Sequence, residues 1–521
     1  MTHVRAIRAI AAAALLLGAP AGAQSTIFTG ASVLQRADSA WASGDRRRAR
    51  ALYAEVLAHD STQSRAVFRL AQLDESEQRS LALYRRYIAL EPGDAWGHMA
   101  EGDLLARLGH WEEGLVAYAG AGAIAPGERD VALGRARLLE RAGRPHEAAA
   151  ELAAWTTRHP DDGEAWDLLG RSQMRSGRPR AAAGAFENAS HRGVPGAALR
   201  LNAARAASAP SVTPEAASLI DSDGNRSTRF GGSIDVMLMD GVRLGGGLQR
   251  HLIANDVDQE QGTDMLARLT ARMAPGVSAS IEGGAMQFDA AGRPGPPSPP
   301  APRTGESWTV FHASARLRAR AAGSNGASLD LRAERAPLAF SPALLFNRVT
   351  RSEARAMVEV PLARMRLRGS GRVGRFEAPG EPANGRVGAE GALVLPLGAV
   401  QPSLQYRLIG FERASAAGYF APRRAETAEG GLYFDNGDEA RLSFAADLGA
   451  GAQRVMDHGG GEGEWSPAWR AWGQAVLAIG PSRFWYVEVE AYDAAFAPEG
   501  VTTAGHWRSL SVASGLRWSM R

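Results

Sequence analysis

Side chains that could carry catalysis are few and scattered along the 521-residue chain. The sequence has no Cys and no Lys, which excludes thiolate chemistry, disulfides and the lysine of a P-loop. The 11 His residues show no H-E-x-x-H spacing, and no G-x-S-x-G nucleophile sequence occurs. The segment 221–225 begins like a calcium loop but has Gly232 where such a loop needs Glu, so we expect a turn there. The sequence therefore predicts no catalytic residue, no metal site and no cofactor, and hence a protein that is not an enzyme.

The remaining candidates are charged side chains that alternate with apolar ones in the second half of the chain. In Phe311–Arg320 and in Ala363–Arg375, apolar or small residues alternate with Arg and other polar residues. A period of two is that of a β-strand, which would place the two sets on opposite faces. The charged residues that we expect to face water are Arg316, Arg318, Asp330, Arg332, Glu334, Arg366, Arg368, Arg372, Glu390 and Asp447.

These side chains require many strands to position them. Fifteen clear strand patterns occur between Arg226 and Trp518, and a weaker one at Pro214–Ile220 makes the number even. Short turns alternate with long polar loops, which is typical of outer-membrane barrels. The long loops are expected near residues 254–264, 288–306, 335–352, 377–385, 412–426, 453–467 and 493–506.

A barrel explains where the charges would lie. An Arg facing lipid at mid-depth would cost about 2–4 kcal/mol, so the charged face should line a wet lumen. Residues 226–521 are therefore predicted to form an antiparallel transmembrane β-barrel of about 16 strands, preceded by a linker and first short strand at 210–225. A soluble sheet with one wet face is the alternative. Aromatic residues gather near strand ends, as in interfacial girdles, although core packing would explain some of them: Trp308, Trp469, Trp472, Trp485, Tyr486, Trp507 and Trp518.

The first half of the chain has a 34-residue period. Gly recurs between paired helical segments, a small residue and then a bulky one follow within the second segment, and Pro ends it. This is the tetratricopeptide (TPR) pattern. Residues 30–209 are predicted to form a TPR-like α-solenoid of about five repeats with a capping helix near 197–207. The signature residues are Gly109, Tyr118, Pro126, Gly143, Pro160, Trp166, Gly170, Gly177, Ala182 and Phe186.

The N-terminus has the features of an export signal. Arg5 and Arg8 precede an apolar run, and Ala21-Gly22-Ala23 supplies small residues at cleavage-site spacing. Residues 1–23 are therefore predicted to be a signal peptide. With the barrel, this predicts an outer-membrane protein whose N-terminal domain lies in the periplasm. The net charge of only +3 argues against nucleic acid as a partner.

The order of segments resembles the cellulose synthase operon protein C family. Gly418, Tyr419, Phe420 and Pro422 belong to a hexapeptide, Gly-Tyr-Phe-Ala-Pro-Arg, that is similar to the Gly-Tyr-Phe-Ser-Pro-Gln stretch of that family. The resemblance implies an outer-membrane channel, surrounded by lipid, that secretes an exopolysaccharide such as a cellulose-like β-glucan. It also implies that the solenoid guides the polysaccharide chain or binds periplasmic or inner-membrane synthase proteins.

Two other functions fit the same pattern of segments. The first is a general porin or envelope-assembly scaffold without polysaccharide specificity. The second is a periplasmic binding module whose β-rich half is not embedded in a membrane.

Overall fold

A computed structural model describes residues 30–289, 307–321, 326–437, 441–461, 463–480, 482–493 and 507–520. The predicted signal peptide lies outside the described residues, as do most residues of the loops predicted near 288–306 and 493–506. The chain divides into two compact units, Met1–Pro126 and Gly127–Arg521.

Helices occupy the described part of the first unit. They are α1 (Gly30–Ala42), α2 (Arg46–His59), α3 (Ser64–Leu73), α4 (Glu77–Leu90), α5 (Ala95–Arg107) and α6 (Trp111–Ile124). The turns inside the first and third pairs contain Gly44 and Gly109, whose φ angles of +78° and +81° favour glycine. Within the third pair, the ring of Tyr118 lies against Gly102, and its hydroxyl donates to Asp103 Oδ1 at 2.7 Å.

Helices also begin the second unit: α7 (Arg129–Arg141), α8 (Pro145–Arg158), α9 (Gly163–Arg175), α10 (Pro179–His191) and α11 (Ala197–Ser208). Gly143 and Gly177 form the turns within the pairs with φ angles of +74° and +67°. Helix α11 follows the last pair as a cap. The predicted helical-repeat fold is confirmed. Among the helices that the structure describes, none combines the length and apolar character needed to cross a bilayer.

Close packing explains the small residues of the repeat. Gly170 in α9 faces the ring of Phe186 in α10, and Ala182 is fully buried. Trp166 is half-buried and donates from Nε1 to the carbonyl oxygen of Pro160 at 2.8 Å. Pro126 and Pro160 are exposed just beyond α6 and α8, where a proline costs no helical hydrogen bond.

Sixteen antiparallel strands follow and close into a barrel, in which β1 pairs with both β2 and β16. The predicted strand number is confirmed. The strands are β1 (Ser211–Asp221), β2 (Arg226–Met239), β3 (Val242–Ala254), β4 (Gln259–Ala274), β5 (Val277–Asp289), β6 (Trp308–Arg320), β7 (Ser328–Pro337), β8 (Thr350–Leu362), β9 (Met365–Glu377), β10 (Asn384–Val394), β11 (Val400–Phe411), β12 (Arg424–Asp435), β13 (Leu442–Met456), β14 (Trp465–Gly480), β15 (Arg483–Asp493) and β16 (Arg508–Ser519).

Two connections differ from the sequence analysis. The loop expected near 254–264 is only residues 255–258, because β4 already begins at Gln259. Both faces of β4 are polar over 259–264, which hides the period-two signal. The loop expected to be polar near 335–352 is instead partly apolar and contains a short helix, α12 (Pro342–Phe346).

The barrel is apolar outside and polar inside. Phe311, Leu404 and Val387 point outward and are 75%, 69% and 63% exposed. Their strand neighbours, including Arg316 and Glu390, point inward, because successive side chains alternate between the faces.

Strand register separates the aromatic residues of a girdle from those of the interior. Trp469, Trp485 and Trp518 face outward and are exposed, as a girdle requires. Trp472 and Tyr486 lie at even positions on their strands and face inward. Two others belong to interior apolar packing, so neither contributes to a girdle: Trp308 stacks on Phe288, and Trp507 is buried.

Candidate functional site

The barrel interior contains a cavity of about 810 Å³ lined mainly by charged side chains. Ten arginines and six carboxylates line it, so arginine is in excess. Nine of the ten residues predicted to face water lie on this lining: Arg316, Asp330, Arg332, Glu334, Arg366, Arg368, Arg372, Glu390 and Asp447. The tenth, Arg318, is not on the lining, but its Nε lies 3.4 Å from Asp330 Oδ2.

Four of these arginines form a row across adjacent strands. Arg316 on β6 lies directly opposite Arg332 on β7, and Arg332 lies opposite Arg355 on β8. Arg355 in turn lies opposite Arg372 on β9. We call Arg316, Arg332, Arg355 and Arg372 the arginine row. Like charges directly opposite each other in a sheet are destabilising, so the row needs compensation from neighbouring carboxylates.

That compensation is incomplete because single carboxylates are shared by pairs of arginines. Asp330 Oδ1 accepts from Arg316 Nε at 3.0 Å, and the same carboxylate also serves Arg318. Glu334 serves Arg332 and Arg351.

Further along the same face, the carboxylate of Glu359 is shared by Arg366 Nη1 at 3.5 Å and Arg368 Nη2 at 3.0 Å. Arg355 Nη2 lies 3.7 Å from Glu390 Oε2. Among the described residues, Arg372 has no carboxylate within ion-pair distance.

A second network, on β11–β14, was missed by the sequence analysis except for Asp447. Glu429 accepts from Arg407 Nη2 at 2.7 Å and from Arg470 Nε at 2.5 Å. Arg470 Nη1 also donates to Asp447 at 2.7 Å. Alternation along each strand was the signal for these residues. A search of every strand for charged residues at the alternate positions that face inward would have identified them.

Apolar loop residues pack inside the mouth of the barrel, at the end where the longer connections lie. The segment 338–349 folds inward, where Leu344 is fully buried and Leu345 is 2% exposed. Leu344 packs in one cluster with the inward-facing Phe376 and Phe411, and Leu345 packs in another with Phe288. We call 338–349, together with the loop 412–423 whose buried residues pack against it, the mouth plug.

The hexapeptide that carries the family resemblance lies in the mouth plug. Tyr419 is 5% exposed, and its ring stacks on Phe376 with ring centres 4.8 Å apart. Its hydroxyl accepts from Asn384 Nδ2 at 3.2 Å. Gly418 has a φ of +94°, and a Cβ there would lie 3.5 Å from the Cβ of Ala343. Phe420 is half-buried and Pro422 buried. The hexapeptide therefore joins the two loops of the plug.

Short turns at the other end of the barrel contact α9–α11. Both oxygens of Asp240, in the β2–β3 turn, accept backbone N–H bonds at 2.9 Å from Arg180 and Ala181 at the start of α10. Arg180 Nη1 donates to the carbonyl oxygen of Leu238 at 2.7 Å, and Arg243 Nη2 donates to that of Ala207 at 2.6 Å. Because Arg178 and Pro179 provide no side-chain cap, the barrel turn supplies the N-terminal cap of α10.

The helical part of the second unit has its own charged cluster. Burial by itself would raise the pKa of the Asp162 carboxyl, but hydrogen bonds from Arg129, the Ala165 N–H and Trp155 hold that pKa below its usual value. Hydrogen bonding to Arg129 also lowers the pKa of Glu164. Asp162 caps α9, so the cluster stabilises a helix start.

Comparisons with known proteins agree with the helical repeat. A tetratricopeptide repeat family model matches residues 105–171. Domains of this type generally mediate protein–protein interaction, and both they and barrels are typically non-catalytic. No curated protein has a sequence that matches the chain significantly.

Several solved structures are similar to about a third of the chain. The MamA protein is 15% identical with a TM-score of 0.30, covering 32% of this chain and 94% of its own. YrrB, described as a TPR protein with an unusual peptide-binding site, is 16% identical with a TM-score of 0.30, covering 33% and 90%. TTC0263, a thermophilic TPR protein from Thermus thermophilus, is 19% identical with a TM-score of 0.27, covering 34% and 98%.

Proposed function

We propose that the protein is an outer-membrane channel that secretes an exopolysaccharide, with a periplasmic TPR domain that binds partner proteins or guides the polymer. The observation that carries this proposal is the closed sixteen-stranded barrel with apolar side chains outside and a charged cavity inside. A closed sheet pairs every strand edge, which a bilayer core demands. Polar lumen groups can exchange hydrogen bonds with sugar hydroxyls at little net cost.

The resemblance to cellulose secretion proteins supports the polymer as cargo. The hexapeptide at Gly418–Arg423 is the residue-level basis of that resemblance, and it belongs to the mouth plug through which a chain would leave. In this arrangement the plug closes the mouth, and secretion requires 338–349 and 412–423 to move apart. A general porin would gain nothing from a packed apolar mouth, which weighs against that alternative.

Two experiments test the proposal. Membrane fractionation should find the protein in the outer membrane and extractable only with detergent, whereas a detergent-free soluble product would contradict a membrane barrel. Deleting the gene should abolish surface polymer while polymer synthesis continues. Unchanged surface polymer in the deletion strain would refute the secretion role and leave the porin or scaffold alternative.

A further inference from the structure

We infer that the channel carries an anionic polysaccharide, one with carboxylate groups along its chain, and that the arginine row binds those carboxylates. This inference rests on the proposed secretion function and names its substrate class. It starts from the cavity lining, where arginines outnumber carboxylates by ten to six. A neutral glucan needs hydroxyl and amide partners and aromatic faces rather than an excess of guanidinium groups.

When the whole inward faces of the strands are counted, the arginine excess lies on one wall. On the described inward faces of β6–β10, strand register places ten arginines and five carboxylates. On the described inward faces of the other strands, carboxylates outnumber arginines. We call the inward face of β6–β10 the basic wall. The arginines are therefore concentrated on one wall rather than spread evenly around the lumen.

The register between strands places these arginines close together, which is unfavourable unless anions neutralise them. Four guanidinium groups occupy directly opposite positions on β6–β9, where like charges repel. Two of the row's carboxylate partners, Asp330 and Glu334, are each shared with another arginine. Such an arrangement becomes favourable when further anions occupy the lumen. Guanidinium groups bind carboxylates in a planar, two-bond geometry, which matches a uronate side group.

Unused donors lie in the row and next to it. Arg355 Nε and Gln405 Nε2 are buried on the cavity lining and have no hydrogen-bond partner among the described residues. Arg372, at the end of the row, has no carboxylate within ion-pair distance in the described part of the chain. These groups can take sugar or carboxylate oxygens without breaking an existing pair.

The test is equilibrium binding to the full-length protein purified in detergent. The probes are a labelled oligogalacturonate and a labelled cello-oligosaccharide of equal length. We expect the anionic probe to bind more tightly. Its affinity should fall when salt is raised from about 50 mM to about 500 mM, because added salt screens the attraction between arginine and carboxylate. Equal binding of the two probes, or binding that is insensitive to salt, would overturn the inference.

Two substitutions locate the binding. Arg372→Gln removes a charge without leaving a carboxylate unpaired, and should weaken anionic binding about tenfold. Arg229→Gln is the matched control, because Arg229 also faces the lumen, on β2, outside the basic wall. Equal losses in the two variants would contradict a role for the row.

The two proposals fail in different ways. A deletion strain that keeps its surface polymer refutes secretion, whatever the purified protein binds. A deletion strain that loses its polymer, combined with a purified protein that prefers the neutral probe, refutes only the anionic substrate.

Discussion

Replacing Asp240 by Ala should loosen the start of α10, although Asp240 lies in a barrel turn about 60 residues away in sequence. Both of its carboxylate oxygens accept N–H bonds at 2.9 Å, from Arg180 and Ala181, which are the second and third residues of the helix. Removing an N-terminal cap typically costs about 0.5–2 kcal/mol. Since the bond to Arg180 is exposed, we expect about 1 kcal/mol, which is roughly a fivefold change in the local opening equilibrium.

Hydrogen exchange measured by mass spectrometry on the detergent-solubilised protein gives the answer. Peptides covering the first turn of α10 should exchange about fivefold faster in Asp240→Ala, and Asp240→Asn should fall between the variant and the wild type because it keeps one acceptor. Asp457→Ala is the control, since Asp457 is exposed in the β13–β14 loop and its side chain makes no hydrogen bond within the described residues. Unchanged exchange at α10 in Asp240→Ala would refute the capping argument.

Three further outcomes are expected. Gly170→Ala should lower the free energy of unfolding of the helical domain by about 1–3 kcal/mol, because the new Cβ would lie 2.6 Å from the ring of Phe186. Gly184→Ala is the control and should not destabilise the domain, because the space around Gly184 is open. Urea unfolding followed by circular dichroism checks both variants. Acid should destabilise the same domain. Because the pKa of Asp162 is lowered in the folded protein, its ionised carboxylate adds stability above the usual carboxyl pKa of about 4, and this stability is lost as the pH falls through the lowered pKa. In Asp162→Asn, the urea midpoint of unfolding should depend less on pH. The pair Ala343→Cys and Gly418→Cys should form a disulfide that stops polymer secretion until reductant is added. Each single substitution is a control, and continued secretion by the oxidised double variant would contradict the prediction.

Much of the fold was predictable because its signals are local and repeated. Gly109, Gly143 and Gly177 recur at turns that require a positive φ, so the helical repeat is visible from one-dimensional spacing. Strand alternation predicted fifteen strands for a similar reason, since inward polar residues alternate with outward apolar ones, and the even number that a closed bacterial barrel requires added the weaker one at Pro214–Ile220.

Prediction failed where local composition departs from the rule. The start of β4 is polar on both faces, so alternation predicts a loop there. Residues 338–346 are mostly apolar, although the sequence analysis expects a polar loop near 335–352. The run of Leu, Phe and Pro there was the available signal for the mouth plug, because a water-exposed loop has no reason to hold so many apolar residues.

The arginine row lay beyond sequence reasoning for a different reason. Arg316, Arg332 and Arg372 were each assigned to the wet face from alternation within their own strands, but which of them lie side by side depends on register between strands. A shift of two residues in one strand would keep every arginine inside the barrel and would place Arg332 opposite Arg318 or Ser314 instead. Alternation therefore predicts a charged lumen, whereas the pairing of four like charges on adjacent strands, and the anionic cargo inferred from it, requires the closed and registered sheet.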